Sequence, residues 1–72
     1  MANQNYQGTP PSTCDHCGAA ITSVFSDIKT LSGPWANLCD PCVNNLTSGK
    51  YGVGFGQRYR LQSNGKWLKV AG

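Results

Sequence analysis

All four cysteines of the chain lie in two Cys-x-x-Cys pairs, Cys14 with Cys17 and Cys39 with Cys42, separated by 21 residues. A Cys-x-x-Cys turn places two sulfur atoms on the same side of a tight loop. Two such turns supply four thiolates, the tetrahedral ligand set of a closed structural zinc site. The spacing therefore predicts one structural Zn²⁺ bound by Cys14, Cys17, Cys39 and Cys42, with no coordination position left for water.

A disulfide framework and a thioredoxin-like redox motif are the alternatives to zinc. Short chains often need disulfides, but the first seven residues show neither the basic nor the apolar region of a signal peptide. We therefore expect a reducing compartment, where disulfides are rare. A redox motif needs one Cys-x-x-Cys pair in a βαβ context, not two pairs. His16 is expected to be a surface imidazole, since four thiolates already fill the metal shell.

The length of 72 residues sets limits on domain organisation. A chain of this size buries only about 60% of its unfolded surface, so we expect metal binding to decide whether it folds. We predict a flexible polar leader over residues 1–12 and a single zinc-binding domain over residues 13–72. No apolar run approaches the roughly 20 residues of a membrane helix, so no membrane partner is expected.

The segments around the cysteines predict the fold class. Apolar residues between the pairs predict a β-hairpin, with turns near Ser26-Asp27 and at Gly33-Pro34. Asp40-Pro41 predicts a helix start capped by Asp40, with a stop at Ser48-Gly49. A knuckle, a hairpin and a short helix carrying the last ligands form a small metal-stabilised α+β fold of treble-clef type. The alternative is a zinc ribbon, in which the second pair lies on another hairpin turn.

A C-terminal β-hairpin is expected to follow the helix. Residues 57–62 and 66–70 alternate in polarity around Asn64-Gly65, a two-residue turn signal. This turn would place Leu61 opposite Leu68 and Arg60 opposite Lys69, with an exposed Trp67 on the Arg60 face. The glycines at 52, 54 and 56 predict an extended segment that passes close to other backbone.

Charge is distributed unevenly along the chain. All three acids lie before residue 49, with Lys29 as the only base there, and the five later bases have no acid among them. This asymmetry indicates a polyanion or an acidic protein surface as partner. We predict a nucleic-acid-binding module whose cations contact phosphates while a tryptophan stacks on a base. The candidate contacts are Arg58, Arg60, Lys66, Trp67 and Lys69.

Catalysis is not expected. The chain has one histidine and no glutamate, and two of its three aspartates lie inside the metal turns. No acid–base pair can be assembled from these residues, and a closed zinc shell activates no water. The sequence therefore predicts neither an enzyme nor a small-molecule substrate.

Three motifs together resemble a family of small tailed-phage proteins. They are Cys14-x-His16-Cys17-Gly18, Gly33-Pro34-Trp35-Ala36-x-Leu38-Cys39-x-x-Cys42 and Gly52-x-Gly54-x-Gly56-Gln57-x-Tyr59. The resemblance covers roughly residues 14–70 and implies four metal ligands and a phage context, hence the host cytoplasm, but no activity. It makes the alternative function a phage accessory protein that binds and modulates a host protein of the transcription, replication or defence machinery. Relatives often have Asp-Gly-Lys-Thr in the first hairpin, where this chain has Asp27-Ile28-Lys29-Thr30.

Overall fold

The computed structural model describes Tyr6 and residues 8–72. Residues 1–5 and 7 of the predicted leader lie outside the described residues. Within this described part, the chain forms one four-stranded antiparallel sheet and one short helix, and the predicted α+β class is confirmed. The strand order is β2-β1-β3-β4, so the two predicted hairpins join through β1 and β3 into a single sheet. The elements are β1 (Val24–Lys29), β2 (Trp35–Leu38), α1 (Asp40–Leu46), β3 (Gly56–Leu61) and β4 (Trp67–Ala71).

Strand β1 lies in the middle of the sheet and runs straight through Ser26-Asp27, so the turn predicted there is wrong. Ser26 is fully buried, and its hydroxyl shares a 2.8 Å hydrogen bond with the Tyr51 hydroxyl. A partnered hydroxyl can be buried in a sheet with little penalty, which overrides the turn preference of serine and aspartate. The chain instead reverses at residues 30–34, where the Thr30 amide donates to the Pro34 carbonyl.

Helix α1 begins at Asp40, as the Asp-Pro signal predicted, but the cap differs. Cys39 occupies the N-cap position without a side-chain hydrogen bond, and the helix ends at Leu46 with Thr47 as C-cap, before the predicted glycine stop. The Thr47 hydroxyl donates to the Val43 carbonyl at 2.8 Å and satisfies part of the helix end. No helix among the described residues is long and apolar enough to cross a membrane.

The two faces of the sheet bury different clusters. One face packs on α1 and the cysteines, around a core of Ile28, Leu38, Val43, Cys14 and Cys42. The other face carries an aromatic cluster, defined here as Tyr6, Phe25, Tyr59 and Trp67. Phe25 is fully buried at its centre, with ring centroids 5.3 Å from Tyr6, 5.3 Å from Tyr59 and 5.1 Å from Trp67. Offset and edge-on rings at these distances stabilise each other beyond their burial.

The C-terminal hairpin forms, but with a register one residue away from the predicted one. Arg60 pairs with Leu68 and Leu61 with Trp67, because the loop contains three residues and closes on a hydrogen bond from the Gln62 amide to the Lys66 carbonyl. Gly65, with φ of 82°, takes the left-handed position that a three-residue loop requires. A one-residue slip exchanges the faces of a strand. Trp67 is therefore half-buried in the aromatic cluster rather than exposed beside Arg60.

Gly56 marks the closest approach of two strands. Residues 52–56 form a tight turn rather than the predicted extended segment, with the Gly56 amide bonded to the Gly52 carbonyl. A Cβ on Gly56 would lie 2.7 Å from Ile28 Cγ1 and 2.8 Å from Ile28 Cα, and φ is 154°. The predicted close backbone contact is confirmed at this position.

We expect Gly56→Ala to lower the free energy of unfolding by about 2–5 kcal/mol, from backbone strain together with overpacking against Ile28. Gly54→Ala is the matched control, because Gly54 also has positive φ but faces open space. The control should lose only the strain, about 1–2 kcal/mol. Thermal unfolding followed by circular dichroism measures both. Equal losses in the two variants would show that crowding at Gly56 is unimportant.

Candidate metal centre

The four cysteine sulfur atoms come together beside the start of α1, as predicted. All four Sγ atoms lie within 4.8 Å of one another, and those of Cys17 and Cys39 are 3.6 Å apart. A tetrahedral ion with bonds of about 2.3 Å to sulfur would hold the sulfurs about 3.8 Å apart. The donor set and spacing thus fit a single metal ion. His16 is exposed and is not among the grouped donors in the described part of the chain.

Local backbone geometry positions the first two thiols. The Cys14 carbonyl accepts the Gly18 amide at 3.0 Å, and the Cys14 amide donates to the Ala19 carbonyl at 2.9 Å. Gly18 has φ of 76°, a conformation that a residue with a side chain adopts only with strain. These bonds close a tight turn over residues 14–18, which brings Cys14 and Cys17 to the same side of the loop.

Asp15 fastens this turn to the sheet. Its amide donates to the Asn37 carbonyl at 2.9 Å, and its carboxylate accepts the Asn37 amide at 2.9 Å. Asn37 belongs to the edge strand β2, which leads directly to Cys39. The two-way contact therefore fixes the first cysteine pair relative to the second without using a metal ligand.

The thiols differ in how readily they ionise. Burial opposes ionisation of Cys14, but backbone amides of Cys17, Cys39 and His16 donate to its sulfur, and the net pKa is lowered to about 6. Burial and the neighbouring thiols raise the pKa of Cys42 to about 12. The backbone amide and the thiol of Cys42 favour the Cys39 thiolate, but burial and the Cys17 and Cys14 sulfurs together outweigh them, so the pKa of Cys39 is also raised. Full ionisation of such a cluster requires a compensating cation.

Metal affinity should depend steeply on pH. The metal-free chain is expected to be unfolded, so its four thiols are protonated well below the ordinary thiol pKa of about 8.5, and each must lose its proton when the metal binds. We therefore expect log affinity to rise by about four for each pH unit between pH 5 and 7. Competition with a chromophoric chelator measures this dependence. A slope of about three or less would contradict binding by all four thiolates.

The structure divides the predicted partner-binding residues between several places. Alternation along the hairpin puts Arg60 and Lys66 toward the helix-bearing face, near the hairpin tip, and Lys69 toward the aromatic face, opposite Tyr59. Arg58 Nη2 lies 2.8 Å from Asp40 Oδ2 in an ion pair that joins β3 to the first turn of α1. The predicted common face of Arg60, Trp67 and Lys69 is therefore absent.

Two aromatic residues with specific contacts were not identified from the sequence. Tyr6 lies in the predicted leader, yet its ring packs edge-on against Tyr59 at 5.0 Å and its amide donates to the Trp67 carbonyl at 2.7 Å. Phe55 is 46% exposed beside Lys50, whose Nζ lies 5.7 Å from the ring centroid. The available signal was an isolated aromatic residue, in a polar stretch for Tyr6 and in a glycine-rich stretch for Phe55.

Comparison of the chain with protein-family models, curated proteins and solved structures gave no match.

Proposed function

We propose that this chain is a non-catalytic zinc module that binds nucleic acid through its basic C-terminal hairpin. The Cys₄ cluster supports the metal assignment, because four thiolates in a tetrahedron suit zinc and leave no open position for catalysis. The chain order of knuckle, hairpin and helix, with Cys39 and Cys42 at the helix start, supports the treble-clef type over the zinc ribbon. Zinc would be bound by the thiolates of both pairs and would stabilise the core on the face of the sheet that packs against α1.

The observation that carries nucleic-acid binding is charge. Five bases and no acid follow residue 49. Four of these bases lie on the C-terminal hairpin, where Arg60 and Lys66 are exposed and Lys69 is half-buried. Arg58 forms an ion pair with Asp40, and Trp67 packs in the aromatic cluster. We therefore assign both residues structural roles. Cations on a hairpin whose tip, residues 63–66, is exposed suit phosphate contacts that carry no sequence information.

The test is a salt titration of oligonucleotide binding, followed by fluorescence anisotropy on single and double strands. With three phosphate contacts from the hairpin, log affinity for the duplex should fall against log salt with a slope of about −2.7. An Arg60→Gln/Lys66→Gln double variant should reduce that slope by nearly two, since each lost contact removes about one unit. Arg58→Gln is the control and should leave the slope nearly unchanged. Absence of binding at low salt would overturn the proposal.

A second candidate, binding to a protein of the phage host, is favoured by an apolar groove. The Leu38 groove, of about 430 Å³, lies between the edge strand β2 and α1. Its lining is Asp15, His16, Thr30, Leu31, Ser32, Pro34, Ala36, Leu38, Asn45 and Leu46. Leu31 is 74% exposed at its mouth. A groove beside a sheet edge suits an extended peptide. A protein that the unmodified chain captures from host lysate and the Leu31→Lys variant does not would support this candidate. Capture of no protein by the unmodified chain would count against it.

The setting proposed for either function is the reducing cytoplasm of a phage host. All four cysteines are free thiols placed for a metal, and such thiols persist where disulfides are rare. The phage context rests on the motif resemblance alone.

A further inference from the structure

A groove opens at the end of the sheet opposite the C-terminal hairpin tip, where β1 ends and β3 begins. We name it the Phe55 groove; its lining is Lys29, Thr30, Leu31, Ser48, Lys50 and Phe55, and its volume is about 300 Å³. From this groove we infer that the protein has a stacking site for a single-stranded nucleic acid, in which Phe55 takes a base while Lys29 and Lys50 take phosphates. The inference rests on the proposed function and adds a contact surface that the basic hairpin does not supply.

The charge and shape of the groove match a nucleotide. Two lysines line it and no acid does. Phe55 and Leu31 are 46% and 74% exposed, so a ring and an aliphatic side chain are accessible between the cations. Lys50 already lies over the Phe55 ring, 5.7 Å from its centroid. An exposed ring beside cations is the arrangement by which single-strand-binding proteins stack bases and hold the backbone.

The sheet places a second exposed aromatic residue, Trp35, next to the groove without its lining the groove. In the register of the sheet, Trp35 on β2 is directly opposite Lys29 on β1. On the other side of Lys29, the Lys29 amide donates to the Phe55 carbonyl at 2.9 Å. Neighbouring strands lie about 4.8 Å apart, so Lys29 lies between Trp35 on β2 and Phe55 in the turn that precedes β3. Trp35 is 51% exposed, which makes it available as a second surface for a base.

The backbone around the groove favours a nucleic acid over a peptide strand. The Phe55 amide donates to the Gly52 carbonyl, and the Leu31 amide donates to the Leu46 carbonyl. Together with the Lys29–Phe55 bond, these contacts leave the amides of all three residues occupied within the chain. A peptide that adds to a sheet edge needs free main-chain groups. Recognition here must therefore come from side chains, which suits a base and its phosphates.

The test measures the affinity of the zinc-loaded protein for a fluorescein-labelled oligothymidylate and for a duplex of mixed sequence. Phe55→Ala should weaken single-strand binding about 5- to 150-fold, the range for losing one stacked base, and should affect the duplex much less. Phe55→Trp, which keeps a ring, should retain binding. Lys29→Gln/Lys50→Gln should reduce the single-strand salt slope by about 1.4. Val53→Ala is the control, because Val53 is fully exposed in the same loop and does not line the groove.

The outcomes separate this inference from the proposed function. If the unmodified protein binds single strands and Phe55→Ala binds equally well while keeping its zinc, the stacking site is overturned and the hairpin contacts stand. If the unmodified protein binds neither strand form, both proposals are overturned. A loss of affinity shared by Phe55→Ala and Val53→Ala would indicate a general effect of the loop and would also overturn the stacking site.

Discussion

The Cys17→Ser variant is expected to leave the chain unfolded, although Cys17 is an exposed side chain. The change in packing alone should hardly alter the free energy of unfolding, because one small exposed side chain replaces another. Surface substitutions usually change stability by less than about 0.5 kcal/mol. As a loss of a metal ligand it is severe. Structural zinc contributes on the order of 10–16 kcal/mol of apparent free energy in small folds, as much as the net stability of an ordinary domain. The ¹H–¹⁵N correlation spectrum should collapse to the narrow range of an unfolded chain.

The neighbouring substitution His16→Ser is the matched control for Cys17→Ser. His16 lies in the same turn and is also exposed, but it is not one of the grouped metal donors. Its variant should keep a dispersed spectrum and one bound metal per chain. A folded Cys17→Ser protein would show that three thiolates or the apolar core suffice, and the central role of the metal would be lost.

Phe25→Ala should produce the second largest effect, on the opposite face of the sheet from the metal. Phe25 is fully buried and contacts three other rings of the aromatic cluster. Removing a buried phenylalanine ring costs about 3–5 kcal/mol through lost burial and the cavity that remains. In a domain of this size each kcal/mol lowers the melting temperature by about 4–8 °C, so a fall of about 12–40 °C is expected in the zinc-loaded protein.

Phe55→Ala provides the comparison, because these are the two phenylalanines of the chain and Phe55 is 46% exposed. The same chemical change at Phe55 should cost no more than about 1 kcal/mol. Calorimetry at saturating zinc measures both variants. Similar losses in the two would contradict the assignment of a separate core around Phe25.

The metal ligands and the helix start could be predicted because their signals are local. Two Cys-x-x-Cys pairs specify four donors whatever the fold around them, and the Asp40-Pro41 pair favours a helix start through backbone geometry. The structure confirms that the four sulfurs come together and that α1 begins at Asp40.

The register of the C-terminal hairpin could not be predicted, because Asn64-Gly65 is compatible with loops of two or three residues. In the three-residue loop, Gly65 occupies the left-handed position and the Lys66 amide is bonded to the Asn64 side chain. Burial of Trp67 against Phe25 agrees with this register. That burial depends on a strand more than forty residues earlier in the chain. No local pattern records such a contact.

Long-range pairing explains the remaining differences. Ser26-Asp27 belongs to a strand because β1 pairs with both β2 and β3, and the hydroxyl of Ser26 meets Tyr51. Likewise, Asp40 was predicted to cap the helix, but its carboxylate is bonded to Arg58, eighteen residues later. In each case a polar residue with a strong local preference is used for a contact that only the folded sheet creates.

Titration of the metal-free, reduced protein with Zn²⁺, monitored by ¹H–¹⁵N correlation spectra, tests most directly whether a bound metal gives this chain its fold. The expected result is a narrow, unfolded spectrum before zinc is added, and a dispersed one that is complete at one equivalent, since the site holds a single ion. A dispersed spectrum and cooperative unfolding before any zinc is added would contradict the account.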